Sequence, residues 1–175
     1  MAKKRFDILI DLINKNKFTK IAEVGVSRGF TAREVIAKCK QLERYYMIDP
    51  DPNEVFEYEN VFRGYKHALF LRLKSIQAVK CIEDEELDLV FIDADHGYEN
   101  VTEDIKLWLP KVRKGGILYG HDYNEYNKGV IRAVNEIFLE PHLEEDELDY
   151  PPKEGDKSYV WWVSVVDRVN SRSSS

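Results

Sequence analysis

The sequence predicts an α/β domain built on a mostly parallel, doubly wound sheet with helices on both faces. Three observations predict it. Strand-like and helix-like segments alternate from Lys20 to Phe138. The run Leu87–Ile92 is apolar almost throughout, as expected of a strand covered on both faces. The segments between strands repeat apolar residues at helical rather than alternating spacing. With 175 residues, 43% of them hydrophobic and 33% charged, the chain is long enough for one domain with a real core and is globular rather than disordered.

The elements follow in order. Phe6, Leu9, Ile10 and Ile13 give an amphipathic N-terminal helix, with Asp7 and Asp11 interrupting any signal-peptide-like run. Lys20–Val26 is the first strand. Ala32, Val35, Ile36 and Cys39 mark one helical face. Arg44–Ile48 is the second strand, Asn53–Tyr58 a short helix, and His67–Leu73 a third strand. Ser75 is placed to cap a helix carrying Ile76, Val79 and Ile82. Leu87–Ile92 is the fourth strand. Val101, Ile105, Trp108 and Leu109 form a helix ended by Pro110. Gly115-Gly116 reads as a turn before the strand Ile117–Gly120, and Val130, Val134, Ile137 and Phe138 mark the next helix. Pro141–Asp156 is polar and reads as loop, with the acidic run Glu144–Asp149 solvated. Ser158–Val166 is aromatic and β-branched, hence a strand, and Leu148–Tyr150 could pair with it as a hairpin. Trp161 and Trp162 should face opposite sides of the sheet, at least one of them toward the core. Residues 1–170 form the expected domain, and 171–175 a disordered tail.

Composition narrows the function classes. The net charge of −6 argues against nucleic acid as the main partner, since basic stripes are its usual footprint. No apolar run approaches a membrane span. Cys39 and Cys81 sit among apolar neighbours without a zinc spacing, which suggests two buried thiols in a reducing, cytoplasmic setting.

The chemistry concentrates where strands end. LDLVFIDADHGYENV closes in Asp93, Asp95 and His96, and KGGILYGHDY closes in His121 and Asp122. Ligands of open α/β sheets bind outside the carboxyl ends of the strands, so these groups would share one crevice suited to a metal or to proton transfer. In AEVGVSRGF, Gly25 and Gly29 flank a turn into a helix, where backbone amides can approach a ligand. Asp49, 24 positions after Gly25, can hold the two hydroxyls of a ribose. Glu23 would repel phosphate and welcome a sulfonium or amine cation. The bland alternatives are a plain turn at the glycines, a turn aspartate before Pro50, and caps at Asp93 and Asp95. His96 could be an ordinary loop histidine, and His121 could simply bond to its neighbours.

The strings EVGVSRGFT, YYMID, LDLVFIDADHGYENVTEDIKLWLP and KGGILYGHDYN followed by GVIRAVNE resemble the class I S-adenosylmethionine-dependent methyltransferases. Within that class they are most similar to the metal-dependent O-methyltransferases of the macrolide-sugar and catechol types. The resemblance implies a Rossmann-like, seven-stranded sheet with a reversed last strand, the role Ser158–Val166 would fill. It implies that Gly25, Val26, Ser27 and Gly29 wrap the methionine part of the cofactor, that Glu23 orients its amino group, that Asp49 holds the ribose and that Ser75 lies near the adenine. It also implies Asp93, His121 and Asp122 as metal ligands and His96 as the base. Lys74 stands where relatives often carry an acid, and His121 where they usually have an oxygen ligand.

The expected activity is therefore metal-assisted O-methylation of a hydroxyl on a small molecule, a sugar or similar. Mg²⁺ is the favoured ion, with Mn²⁺ or Ca²⁺ as alternatives. A divalent ion lowers the hydroxyl's pKa, and a histidine can take the proton at working pH. Two other classes compete: a non-catalytic nucleoside-binding module, and a non-haem iron oxygenase using two histidines and a carboxylate. A homo-oligomer joined through Ala2–Asn16 or the final strand could supply a lid over the acceptor.

Overall fold

The computed structural model describes residues 3–51, 62, 64–147 and 157–166. The expected helix Asn53–Tyr58, the hairpin arm Leu148–Tyr150 and the tail 171–175 lie outside the described residues.

The amphipathic start folds as helix α1 (Arg5–Asn16), which buries Ile8, Leu9, Ile10 and Ile13. Lys17 ends it in a left-handed conformation, its N–H donating back to the Asn14 carbonyl. Then follow β1 (Lys20–Val24), α2 (Phe30–Lys38), β2 (Arg44–Ile48), β3 (Ala68–Leu71) and the short α3 (Ser75–Ala78). The second half contains β4 (Leu87–Ile92), α4 (Tyr98–Trp108), β5 (Val112–Asn124), α5 (Lys128–Ile137), β6 (His142–Asp146) and β7 (Ser158–Ser164).

The strands form one seven-stranded sheet in the order β3-β2-β1-β4-β5-β7-β6. The pairs from β3 to β5 are parallel, and β7 runs antiparallel to both neighbours, the reversed last strand the resemblance implies. The order reverses at β1 and β4. Their carboxyl ends therefore splay α2 and the β4–α4 loop to opposite faces and leave a crevice between them.

Every residue of β4 is buried. Leu89 and Phe91 face the cluster under α1 and α2, while Val90 and Ile92 face the cluster under α3, α4 and α5. Asp88 interrupts this apolar strand without strain, because it accepts N–H bonds from Thr19 (2.6 Å) and Lys20 (2.8 Å) and pairs with Arg113. Trp161 is buried against α5's face, and Trp162 packs on the opposite cluster.

Several expectations need correction. His142–Asp146, expected as loop, is strand β6, and it is this segment that pairs with β7, from His142↔Trp162 to Asp146↔Ser158. Backbone bonding to β7 and the His142 ring lying 3.8 Å from that of Trp162 hold a strand whose side chains look like loop. Within the acidic run, Asp146 is buried rather than solvated. Gly115-Gly116 lies inside a continuous β5, because the Gly115 N–H and Gly116 carbonyl both bond to Val165. Cys39 is buried as expected, but Cys81 is exposed. Lys74, not Ser75, is the N-cap of α3. The Ser75 hydroxyl is drawn instead to Asp104 and accepts the Trp108 indole N–H at 2.8 Å.

The N-terminus is tied to the far edge of the sheet. Lys3 forms a parallel bridge with Asp146, and the Glu147 N–H donates to the Lys3 carbonyl. The Tyr119 hydroxyl donates to the Arg5 carbonyl. This anchorage holds the start of α1 over the crevice. Among the described residues no helix is long and apolar enough to cross a membrane.

Candidate active site

The crevice has a nucleoside-sized end and a chemical end. At the first, a cleft of about 340 Å³ is bordered by Gly25, Ser27, Asp49, Ser75 and Asp93. The Asp49 carboxylate accepts the N–H groups of Val26 (3.0 Å) and Ser27 (2.9 Å) with one oxygen and the Asp51 N–H with the other. It thereby fastens the end of β2 to the glycine turn. Gly25 has φ +89, and a Cβ there would lie 2.2 Å from the Asp93 carbonyl oxygen. The glycine is required first by the approach of β1 to β4, and only then by any ligand. Gly29 and Ser27 are also left-handed, which curls the turn into α2.

A smaller hollow of about 90 Å³ continues under this turn, lined by Arg5, Glu23, Val26, Gly29 and Asp93 among others. Glu23 is buried there and its carboxylate accepts the Tyr45 hydroxyl. Burial pushes its pKa up to about 8, against the opposing pull of the Tyr45 bond, and nearby Asp93 adds to the rise. A cation placed in this hollow would meet a group ready to ionise. Arg5 reaches in from the N-terminus of α1, its Nε 3.4 Å from Asp93 Oδ2.

The chemical end is made by two irregularities. The register of β5 shifts between Gly120 and Tyr123, and Asp122 takes a left-handed φ of 59, which re-aims His121 and Asp122 at the strand end. After β4, the Asp95 carboxylate accepts the Gly97 N–H at 2.6 Å, turning the chain into α4. This matches the structural role expected of Asp95. On α5, a Cβ at Gly129 would lie 2.4 Å from the His96 carbonyl oxygen, so this glycine lets α5 press against the loop carrying His96.

These features converge on a chain of alternating imidazoles and carboxylates. His96 Nε2 lies 2.8 Å from Asp122 Oδ2. The same oxygen lies 3.2 Å from His121 Nδ1, and Asp93 Oδ1 lies 3.4 Å from that nitrogen, neither contact having hydrogen-bond geometry. His121 Nε2 meets Asp146 Oδ2 at 2.8 Å, with both side chains almost wholly buried. Asn127 donates to the other oxygen of Asp122 at 3.0 Å. Burial disfavours charge on His121, but the surrounding Asp122, Asp146 and Asp93 outweigh it and hold its pKa well above the ordinary value. Burial likewise opposes the Asp122 anion, yet the nearby His121 imidazole and the close His96 contact keep this carboxyl well below the usual range. The Asp122 bond raises His96.

One oxygen or nitrogen from each of Asp93, His96 and Asp122 lies within 4.8 Å of the others, a donor set of two carboxylates and an imidazole that suits a divalent ion. His121, implied as a ligand, lies outside that set. The structure thus gathers Glu23, Gly25, Val26, Ser27, Gly29, Asp49 and Ser75 along one crevice and Asp93, His96, His121 and Asp122 at its end. Ser75 lines this cleft with its hydroxyl committed to Asp104 and Trp108. Two participants carried no sequence signal: Arg5, which only folding of α1 brings to Asp93, and Asp146, hidden in an acidic run.

A methyltransferase domain family profile matches residues 22–123, which span β1 to β5 and most of this crevice. The chain belongs to this methyltransferase family. Its fold is that of the class I enzymes. Solved structures with the same architecture include an O-methyltransferase from Bacillus cereus in complex with SAH (18% identity, TM-score 0.66, 91% of this chain and 80% of that one). The N-methyltransferase NodS from Bradyrhizobium japonicum also matches (15%, TM-score 0.67, 93% and 95%). So does spermidine synthase from Thermotoga maritima (15%, TM-score 0.67, 89% and 58%). At these identities the likeness speaks for the fold alone. Among curated sequences, protein y4gI of Sinorhizobium fredii is 21% identical over 173 residues, 89% of this chain and 18% of that protein. Protein R132 of Acanthamoeba polyphaga mimivirus is 42% identical over 53 residues, 29% and 24% of the two chains. The chain thus spans about a quarter or less of the length of these relatives.

Proposed function

We propose that this methyltransferase uses S-adenosylmethionine to methylate a hydroxyl of a small molecule, with a divalent ion, Mg²⁺ by preference, at the chemical end. The observation that carries the reading is the convergence of Asp93, His96 and Asp122 at the mouth of a cleft that also holds Asp49 and Glu23. The cofactor, when bound, supplies an activated methyl group. Asp49 would hold its ribose, the turn from Gly25 to Gly29 its methionine part, and Glu23 its amino group, with Ser75 at the adenine side.

Asp93 and Asp122 would hold the ion, whose chemistry is to lower the pKa of a bound hydroxyl. His96 is the base. Its Nε2 faces Asp122, and Nδ1 has no hydrogen-bond partner among the described residues, so this nitrogen is the one available for the acceptor's proton. Asp122 steadies the imidazolium that results. We assign His121 a different role from the ligation implied by the resemblance. Clasped by Asp146, it is a buried counter-charge that keeps Asp93 and Asp122 in position.

A second reading has the same base without a metal. Arg5 and His121 already lie against the two carboxylates an ion would use, and they supply positive charge there. Calorimetry with S-adenosylmethionine, with and without Mg²⁺, and turnover before and after chelation separate the two. Replacing Asp122 with Ala should reduce turnover by at least about a hundredfold while leaving cofactor affinity within about twofold. Activity that survives chelation but not this substitution selects the metal-free dyad. Absence of cofactor binding would sink both.

A further inference from the structure

We propose that Arg5 pairs with the carboxylate of the cofactor's methionine part and makes this chain selective for a cofactor that carries one; this rests on the S-adenosylmethionine reading above. The cleft beside Asp49 and the hollow beneath the glycine turn share Gly25, Ser27 and Asp93. A nucleoside in the first therefore directs its amino-acid end into the second. That end is a zwitterion, and Glu23 would meet only its ammonium. The carboxylate has to enter beside Asp93, in a partly buried space where an unpaired anion is costly. Arg5 walls this hollow, with its Nε 3.4 Å from Asp93 Oδ2.

Three observations single out this arginine. The first is burial. The Arg5 side chain is 21% exposed, whereas Arg28, the other arginine on the hollow, is an exposed residue. A charge-assisted bond strengthens as water is excluded from it. The second is anchorage. The Tyr119 hydroxyl on β5 donates to the Arg5 carbonyl at 2.8 Å, and Lys3 is bridged to Asp146 on β6. Two strands thus hold the backbone on which the guanidinium is carried, so less ordering is left for the ligand to impose. The third is the opposite wall. Gly29, Phe30 and Thr31 border the same hollow, where α2 begins without a side-chain cap and without an acid in its first turn. A helix start and a guanidinium on one small space suit a carboxylate. Arg5 lies outside residues 22–123, which the methyltransferase profile matches, so this selectivity belongs to the chain's own N-terminal helix. Because the same guanidinium lies against Asp93, it also ties the cofactor's amino-acid end to the chemical end.

The test uses the full chain and two ligands titrated by calorimetry, S-adenosylhomocysteine and its decarboxylated counterpart, which keeps the ammonium and lacks only the carboxylate. The wild type should bind S-adenosylhomocysteine at least about tenfold more tightly, as expected for a charge-assisted bond at a partly buried site. In Arg5→Gln this preference should fall to within about twofold. Affinity for the decarboxylated ligand should stay within about twofold of the wild type, the sign of an intact nucleoside cleft and fold. Arg5→Met, which keeps an apolar stem, makes the same comparison should Arg5→Gln not fold. Arg28→Gln should retain the full preference. Failure of both ligands to bind the wild type overturns the S-adenosylmethionine reading and this proposal with it. Binding of both without preference, a preference that survives loss of the Arg5 guanidinium, or one lost in Arg28→Gln instead overturns this proposal alone.

Discussion

Glu23 offers the sharpest test of how the crevice is built. Its carboxyl is 2% exposed, and burial raises its pKa from 4.5 to about 8. The native state therefore keeps a proton that the unfolded chain gives up as pH rises through 4.5. Stability must fall as pH climbs across the window from 4.5 to about 8. At about 1.4 kcal/mol per pH unit, the ceiling on that loss is roughly 3 kcal/mol by pH 7 and roughly 5 kcal/mol above pH 8. Glutamine keeps the shape and can still accept the Tyr45 hydroxyl, but it has no proton to lose. Glu23→Gln should thus match the wild type near pH 4.5 and exceed it by at least about 2 kcal/mol at pH 8.5. Urea unfolding followed by circular dichroism at several pH values reads this difference. Parallel curves for the two proteins, or a variant less stable at pH 8.5, would refute the buried, protonated Glu23 from which the prediction starts.

Other outcomes follow from the same geometry. If the cofactor's amino group docks on Glu23, binding near pH 7 should release a proton, seen as a calorimetric enthalpy that changes with the ionisation enthalpy of the buffer. Gly25→Ala forces a left-handed alanine into the Asp93 carbonyl. It should cost about 2 to 3 kcal/mol, lower Tm by roughly 6 to 10 °C, and weaken cofactor binding at least about tenfold. Asp88 has its pKa lowered, because bonds from Lys20, Thr19 and Arg113 outweigh its burial. The stability it contributes is present above pH 3.8 and is lost as pH falls through its native value. Asp88→Asn should lose about 2 to 3 kcal/mol at pH 7, and its acid-unfolding limb should be shallower than that of the wild type.

Much of this architecture was legible because burial writes itself into residue type. Arg44–Ile48 and Leu87–Ile92 form strands at the expected bounds, since a strand covered on both faces leaves few choices but apolar ones. Periodicity likewise exposed α1, α4 and α5. The strand β6 was not legible, because an edge strand is held by backbone bonds to β7 while its side chains, His142 to Glu145, remain largely polar and outward. Within the candidate site, the residues that end parallel strands could be read, as Asp49, Asp93, His96 and Asp122 were, since topology brings such ends together. Arg5 and Asp146 could not. One depends on where α1 begins over the crevice, the other on a single inward position in an acidic run. No pattern of neighbours distinguishes either from an ordinary surface charge.

The fastening of Lys3 to the sheet edge has a practical meaning for anyone handling this protein. Lys3 sits beside Asp146 and Glu147, and Glu147 borders a cleft of about 410 Å³ that Lys4 and Arg33 also line. A purification tag fused to the N-terminus would begin only two residues ahead of Lys3, and a polyhistidine tail would bring its own imidazoles near a centre already rich in them. Binding measured with such a tag in place would report on the tag as well as on the cleft. A C-terminal or cleaved tag avoids the artefact, and a comparison of tagged and cleaved protein measures its size.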